Sequence, residues 1–263
     1  MTSHKTSNKG LLAASFTLSG SIIGAGILGL PYVFSQSGFL AGFFWILFFG
    51  VVITLCYLYL GEVCLRTKEK HQLPGLAEKY LGKYGRRMML STMIYGIYLS
   101  LVAYLIAEGK SISQLIMGSQ DYAIYCTFFF WIILTILLSG GIERLKKVET
   151  YGVLTIIVII IGIFIFFIPN ISVQNLSYTN SHHFFLPLGV TLFAFLGFAA
   201  VPELREELRN NEHIFKKAII IGVLVPIVLY ILFTLSFVGV LGEGVSEIAT
   251  LSFGPIMIIL GIF

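Results

Sequence analysis

Two stretches of this chain carry chemistry that needs no reactive side chain. The first, Ser19-Gly20-Ser21-Ile22-Ile23-Gly24-Ala25-Gly26-Ile27-Leu28-Gly29-Leu30-Pro31, holds four glycines and a proline within thirteen positions. The second runs from Pro187 to Pro202 through Gly189 and the segment Phe193-Ala194-Phe195-Leu196-Gly197-Phe198. Glycine and proline weaken a helix, so each stretch is expected to interrupt one. In hydrocarbon an interruption leaves backbone N–H and C=O groups that cost several kcal/mol each unless something satisfies them. The positive N-terminal end of a half-helix suits a carboxylate, and freed carbonyls suit an ammonium or a small cation. Two such interruptions facing each other would bind a zwitterion such as an amino acid without any ionised side chain. The competing explanation is close helix packing through small residues.

Ionisable groups inside apolar runs are the next place to look. Ser100, Tyr104, Glu108 and Ser111 share one helical face at steps of four, four and three. That stripe could line a polar pathway with Glu108 as proton carrier, or Glu108 could pair with another helix. Lys110 stands two residues on and projects elsewhere. Glu62 and Arg66 have the spacing of a local i,i+4 pair. Enzyme signatures are missing: there is no His-Glu-x-x-His, no Gly-x-Ser-x-Gly on a span and no phosphate loop, and Asp121 is the only aspartate. His182 and His183 lack Cys or acidic neighbours, and Cys56, Cys64 and Cys126 lack ligand spacing and read as packing residues. No metal, no cofactor and no enzymatic activity are expected.

The elements that hold these residues follow from composition. Of 263 residues 57% are hydrophobic and 11% charged, with a mean hydropathy of +0.93. That balance excludes a soluble globule, a disordered chain, a nucleic-acid-binding domain and a disulfide scaffold. Apolar runs long enough to span a bilayer, ~20 residues each, fall at 11–34, 39–65, 89–117, 122–141, 151–168, 184–204 and 217–241, and an eighth begins near Ser252. Their length without period-two alternation makes them helices. All but one of the 17 Lys and Arg lie before the first span or in the even-to-odd loops, which places the amino terminus in the cytoplasm. The positive net charge is thus a topology signal that needs no nucleic-acid partner. Between the second and third spans, Leu73, Leu76, Ala77, Tyr80 and Leu81 repeat as one face of a short amphipathic helix. At the inner end of the sixth span, Glu203, Glu206 and Glu207 alternate with Arg205 and Arg209, a pattern that reads as a salt-linked face.

The two interruptions fall in the first and sixth spans. A five-helix unit repeated after an odd number of spans is inverted, and paired interrupted helices in inverted repeats point to a transporter site. A seven-helix receptor needs an amino terminus on the other side, and a channel needs an oligomeric pore or a ring of like charges that is not visible.

The segment Gly20–Tyr32, with its Gly-Ile-Leu-Gly-Leu-Pro-Tyr ending, resembles the first-helix signature of the amino acid–polyamine–organocation superfamily, most closely its amino acid/auxin permease branch. Phe195-Leu196-Gly197-Phe198 followed by Pro202-Glu203 is similar to that superfamily's sixth helix. The resemblance implies an all-α membrane protein of LeuT-like fold, a five-plus-five inverted repeat with helices 1–7 and the start of helix 8 present. Residues 1–10 would be a cytoplasmic tail, 11–168 the first repeat and 184–263 an incomplete second one. It further implies a secondary active amino acid transporter in the plasma membrane, working by alternating access and coupled to H+ or Na+. By position, Gly24, Ala25 and Gly26 would offer N–H groups to the substrate carboxylate. The Ile23, Phe193 and Leu196 carbonyls would take its amino group, with Ile27, Ala194 and Gly197 in the same two segments. Phe193, Phe195 and Phe198 would shape the side-chain pocket, and neutral or aromatic amino acids are expected. Carbonyls at Gly20 and Ile23 match positions that hold a cation in sodium-coupled relatives. The lysine that replaces this cation in other relatives has no counterpart in Thr155-Ile156-Ile157-Val158. An amino acid sensor built on the same fold would share these motifs. Against ten helices the length is short, so a fragment of a longer transporter, or a truncated product inactive alone, is also expected.

Overall fold

The apolar runs fold as helices. The computed structural model describes residues 2–24, 26–67, 69–139, 142–209 and 211–262, and among them every regular element is an α or 3-10 helix. The first span is two helices, α1 (Thr2–Ile22) and α2 (Gly26–Ser37), bent by 61° at the break between them. Then come α3 (Phe39–Arg66), α4 (Leu73–Met117), α5 (Ala123–Leu138) and α6 (Ile142–Phe167). After the short α7 (Val173–Ser177), the sixth span is again two pieces, α8 (Leu186–Ala194) and α9 (Ala200–Glu207). The chain continues through α10 (Phe215–Leu241) and α11 (Pro255–Ile262).

Among the described residues four helices are long and apolar enough to cross a bilayer, and five if the bent α1–α2 pair is one span. The shortfall from seven has simple causes: the sixth span is split, and α5 is only 16 residues long. Several helices extend beyond the apolar runs. α6 starts at Ile142 because the Glu, Arg, Leu and Lys residues expected to form a loop are good helix formers with no Gly or Pro before Gly152. The amphipathic segment runs from Leu73 to a kink at Gly82, whose φ of 73° only glycine adopts readily. Leu73, Leu76 and Ala77 are buried, whereas Leu81 is exposed and Tyr80 is exposed apart from its hydroxyl, which lies 2.8 Å from Thr67 Oγ1.

α10 is the axis of the bundle, packed against α1, α2, α3 and α6. With lipid as the surrounding medium, apolar burial does not by itself drive helices together, so close approach matters. Gly50 and Gly61 of α3 face Ile227, Phe215 and Ile219 of α10, and Gly222 of α10 faces Leu18 of α1. In contrast, α5 buries no residue and much of α4 is bare, including Ile94, Tyr98 and Val102. In water such a surface would aggregate; in a bilayer it faces acyl chains.

Most of the ion pairs among the described residues gather at one end of the bundle. Glu62 takes Arg66 at 2.7 Å, the expected i,i+4 pair, and also Lys216 of α10 at 3.3 Å. At the opposite end, the Trp45 indole N–H donates to the Phe184 carbonyl at 2.8 Å, and Asn180 N–H donates to Ser37 O at 3.1 Å.

Candidate functional site

Both glycine-rich stretches break where the sequence places them. In the first, Ile23 N–H still donates to Ser19 O at 2.8 Å, and the next described turn begins with Ile27 N–H donating to Gly24 O at 3.1 Å. Ala25 lies outside the described residues. In the sixth span, residues 195–199 carry no helix.

A helix interrupted in an apolar interior must place each freed carbonyl somewhere. The Phe193 carbonyl accepts from Leu196 N–H at 3.1 Å, Gly197 O from Ala200 N–H at 3.1 Å, and Phe198 O from Val201 N–H at 3.2 Å. Two buried tyrosines serve three more. Tyr57 of α3 donates to Phe195 O at 2.9 Å, and its ring lies 4.5 Å from that of Phe198. Tyr230 of α10 lies 2.7 Å from Ala194 O and 3.0 Å from Ile22 O, with the Phe195 ring set edge-on to it at 5.5 Å. Sequence reasoning missed both tyrosines. The available signal was a phenol within an apolar span, whose hydroxyl must find a partner when buried.

The two breaks touch. A Cβ on Gly26 would stand 2.7 Å from Ala194 Cα, and one on Gly197 would stand 2.8 Å from Ile22 Cγ1 and 3.2 Å from Ser21 O. Gly24 faces the Tyr104 hydroxyl from α4. Gly20 faces the Val153 side chain, so this glycine also serves close packing.

Beside the break in the first span lies a cavity of about 230 Å³. Its wall combines Ile23, Gly24, Ile27 and Leu28 with Tyr104 and Glu108 of α4, Ile156 and Ile160 of α6, and Phe233 of α10. Leu260 and Gly261 of α11 and Thr250, in the 3-10 turn Ala249–Phe253, complete it. The lining is largely apolar, yet Glu108 Oε2 and Thr250 Oγ1 are buried there without a hydrogen-bond partner. The expected polar stripe is therefore divided: Tyr104 and Glu108 reach the cavity, while Ser111 donates back to Ala107 O at 2.9 Å. Lys110 turns to Glu247 at 3.4 Å. Of the residues expected at the site, Ile23, Gly24, Ile27 and Glu108 meet at this cavity. Phe193 and Ala194, which end α8, and Phe195, Leu196, Gly197 and Phe198 of the second break are not part of its wall. Among the described residues no group of three or more His, Cys, Asp and Glu has the geometry for a metal ion.

At the ion-paired end, α9 is tied to the turn that follows α3. Arg205 donates to Thr67 O at 2.7 Å and Glu69 O at 3.3 Å, and Lys70 pairs with Glu206 at 3.4 Å. Thr17 of α1 donates to Glu207 at 3.3 Å. Hydrogen bonds from His71 and Lys79 hold the Glu69 carboxyl below the usual carboxylate range. The Glu/Arg alternation of the sixth span is thus a set of ties between elements.

In sequence this chain is similar to known transport proteins. Residues 7–259 match the model of the tryptophan/tyrosine permease family. Glutamine transporter 2 of Aliivibrio fischeri is 23% identical over 235 residues, covering 87% of this chain and 61% of that protein. Tyrosine-specific transport system 1 of Haemophilus influenzae is 25% identical over 240 residues, covering 88% and 58%. Amino acid transporter AVT3A of Arabidopsis thaliana is 26% identical over 256 residues, covering 89% and 58%. The chain spans about three-fifths of the length of these curated relatives.

Proposed function

The chain belongs to the tryptophan/tyrosine permease family, within the superfamily that its first-helix motif resembles, and is not an enzyme; on that premise we propose that it carries the substrate site of a secondary active amino acid permease. The observation that carries this reading is the contact between two interrupted spans, Gly26 against Ala194, beside a cavity with two unpartnered polar groups. Broken helices in contact at mid-span offer backbone donors and acceptors in a place where lipid offers none.

In this reading the substrate carboxylate sits at the N–H groups leading into α2, from Gly24 through Ala25 to Gly26. The ammonium lies toward the carbonyls of Ile23, Phe193 and Leu196. The side chain extends into the cavity. An apolar wall with no basic group favours neutral and aromatic side chains, consistent with the tyrosine and glutamine named for relatives. An unpartnered carboxylate oxygen is costly to bury, and a coupling proton on Glu108 would meet that cost; carbonyls at Gly20 and Ile23 are the alternative seat, for Na+. Alternating access would proceed as the half-helices move within two inverted repeats, 11–168 and 184–263, with the basic end at the cytoplasmic face of the plasma membrane.

The test is counterflow of a panel of labelled L-amino acids in proteoliposomes carrying the chain, with Gly26→Trp as the blocked control. Saturable flux driven by a proton or sodium gradient, and lost in that variant, is the expected result. Binding without flux would assign the chain to sensing, and flux equal in the Gly26→Trp variant would remove the site. Glu108→Gln separates the ions: pH dependence of uptake unchanged by it would take the proton role from Glu108.

A further inference from the structure

Tyr230 is fully buried, and its hydroxyl lies within hydrogen-bond distance of two carbonyls from different spans. Ile22 is the last residue of α1 and Ala194 the last of α8, so the C-terminal ends of two half-helices converge on one oxygen. Each end carries the partial negative charge of its helix dipole and a carbonyl with no helical donor. Such ends repel unless something positive stands between them. A phenol has a single proton, and here that proton faces two acceptors at 2.7 and 3.0 Å.

The helix that presents it is well placed to act as a fixed frame. α10 has the longest run of buried residues in the described bundle and packs on α1, α2, α3 and α6. It holds α1 at a second point as well. Pro226 lacks an N–H and so leaves the Gly222 carbonyl, one turn earlier, without its helical donor. The Ser19 hydroxyl of α1, whose one proton also faces Ser15 O of its own helix at 2.8 Å, lies 3.0 Å from that carbonyl. α1 and α8 are thus both held to α10 by the Tyr230 phenol, with Ser19 beside the first. Tyr57 is the instructive contrast, because it donates to the sixth span alone.

We propose that Tyr230 is a positioning residue that couples the two interrupted spans: its one hydroxyl proton, shared between Ile22 O and Ala194 O, sets their separation and passes wholly to one carbonyl when the other half-helix moves away. Because either carbonyl can take the full bond, one half-helix can swing toward water while the other stays anchored. The pin requires only the two breaks, but its part in a transport cycle rests on the permease reading.

The test is amide hydrogen exchange on the purified full chain, read over peptides spanning 20–28 and 192–201. Tyr230→Phe keeps the ring and removes only the proton, and it should speed exchange in both peptides, by about two- to three-fold each, because one net hydrogen bond, worth about five-fold in all, is lost between them. Tyr57→Phe should speed only the second. Acceleration of one peptide alone in Tyr230→Phe, or of neither, would overturn the shared pin. Should that variant fail to fold, 3-fluorotyrosine at position 230, a stronger donor of nearly the same size, should slow exchange in both peptides, and no change in either would overturn the proposal. Neither measurement needs substrate, so counterflow on the same preparations separates failure of the pin from failure of the permease reading. If both stand, Tyr230→Phe should lower the maximal rate of flux more than it raises KM.

Discussion

Replacing Gly26 by alanine should push the two breaks apart, and the structure sets the size of the effect. The added Cβ would lie 2.7 Å from Ala194 Cα, 2.9 Å from Ala194 Cβ and 3.1 Å from Ala194 N. These are atoms fixed to the main chain, so no rotamer change relieves the overlap, and the end of α8 is itself held by Tyr230 at 2.7 Å. Overpacking of this kind costs about 1–3 kcal/mol, and the usual gain on replacing glycine by alanine in a helix offsets about 0.5–1 kcal/mol of it. The net loss is centred on about 1 kcal/mol, which for a chain of this size lowers the melting temperature by about 2–4 °C. Gly96 in α4 supplies the control, since a Cβ there meets nothing within 4 Å; its alanine variant should match the parent or exceed it by about 0.5–1 kcal/mol. Thermal unfolding of both variants in detergent, followed by circular dichroism, makes the comparison. Ligand affinity should fall about ten-fold in Gly26→Ala if the strain is expressed at the site. A Gly26→Ala protein that melts and binds like the parent, or a Gly96→Ala protein that loses as much, would refute the contact as the cause.

Gly24→Ala should behave differently, because its Cβ would meet the hydroxyl end of Tyr104, which can swing into the cavity. The expected result is a smaller loss of melting temperature than for Gly26→Ala, with binding weakened as the cavity shrinks. Arg205→Ala removes two charged hydrogen bonds to Thr67 O and Glu69 O and should speed tryptic cleavage at Lys70; Arg205→Lys, which cannot form the fork, should restore little. Glu69, held below the ordinary carboxylate range by His71 and Lys79, contributes stability at pH above its unfolded value, about 4.3. That contribution is lost as pH falls through the lower folded value, so Glu69→Gln should flatten the acid limb of a melting-temperature profile. Asn175 donates to Gly239 O at 3.0 Å and Val240 O at 3.2 Å, where α10 ends, and Asn175→Ala should lower the melting temperature by about 2–4 °C, as expected for about 1 kcal/mol.

Much of the fold was legible because its causes are local. Runs of about 20 apolar residues become helices in any arrangement that buries backbone polarity, and α3 and α10 fall close to the runs at 39–65 and 217–241. The breaks were legible for the same reason, since glycine and proline weaken a helix wherever it packs. The charge pairs were legible only where they are local: Glu62 with Arg66 follows from helical spacing, whereas Lys110 finds Glu247 across 137 residues. The amphipathic helix shows the boundary between the two cases. Its period announced the face Leu73, Leu76, Ala77, Tyr80 and Leu81, but only the packed bundle decided that the first three are buried and the last two are exposed.

Composition and periodicity by themselves determined that this is an integral membrane protein of helices, which two spans are interrupted, and which chemistry an interrupted span offers. They could do so because propensity, length and hydropathy act within a few turns of chain. Only the tertiary structure decided that the interruptions touch, that Gly26 meets Ala194, and that Glu108 rather than Lys110 faces the cavity. It also decided that Tyr230 closes both helix ends, a hydroxyl 208 residues from one acceptor and 36 from the other. No spacing rule reaches that far, because a freed carbonyl takes whichever donor the packed bundle brings to it.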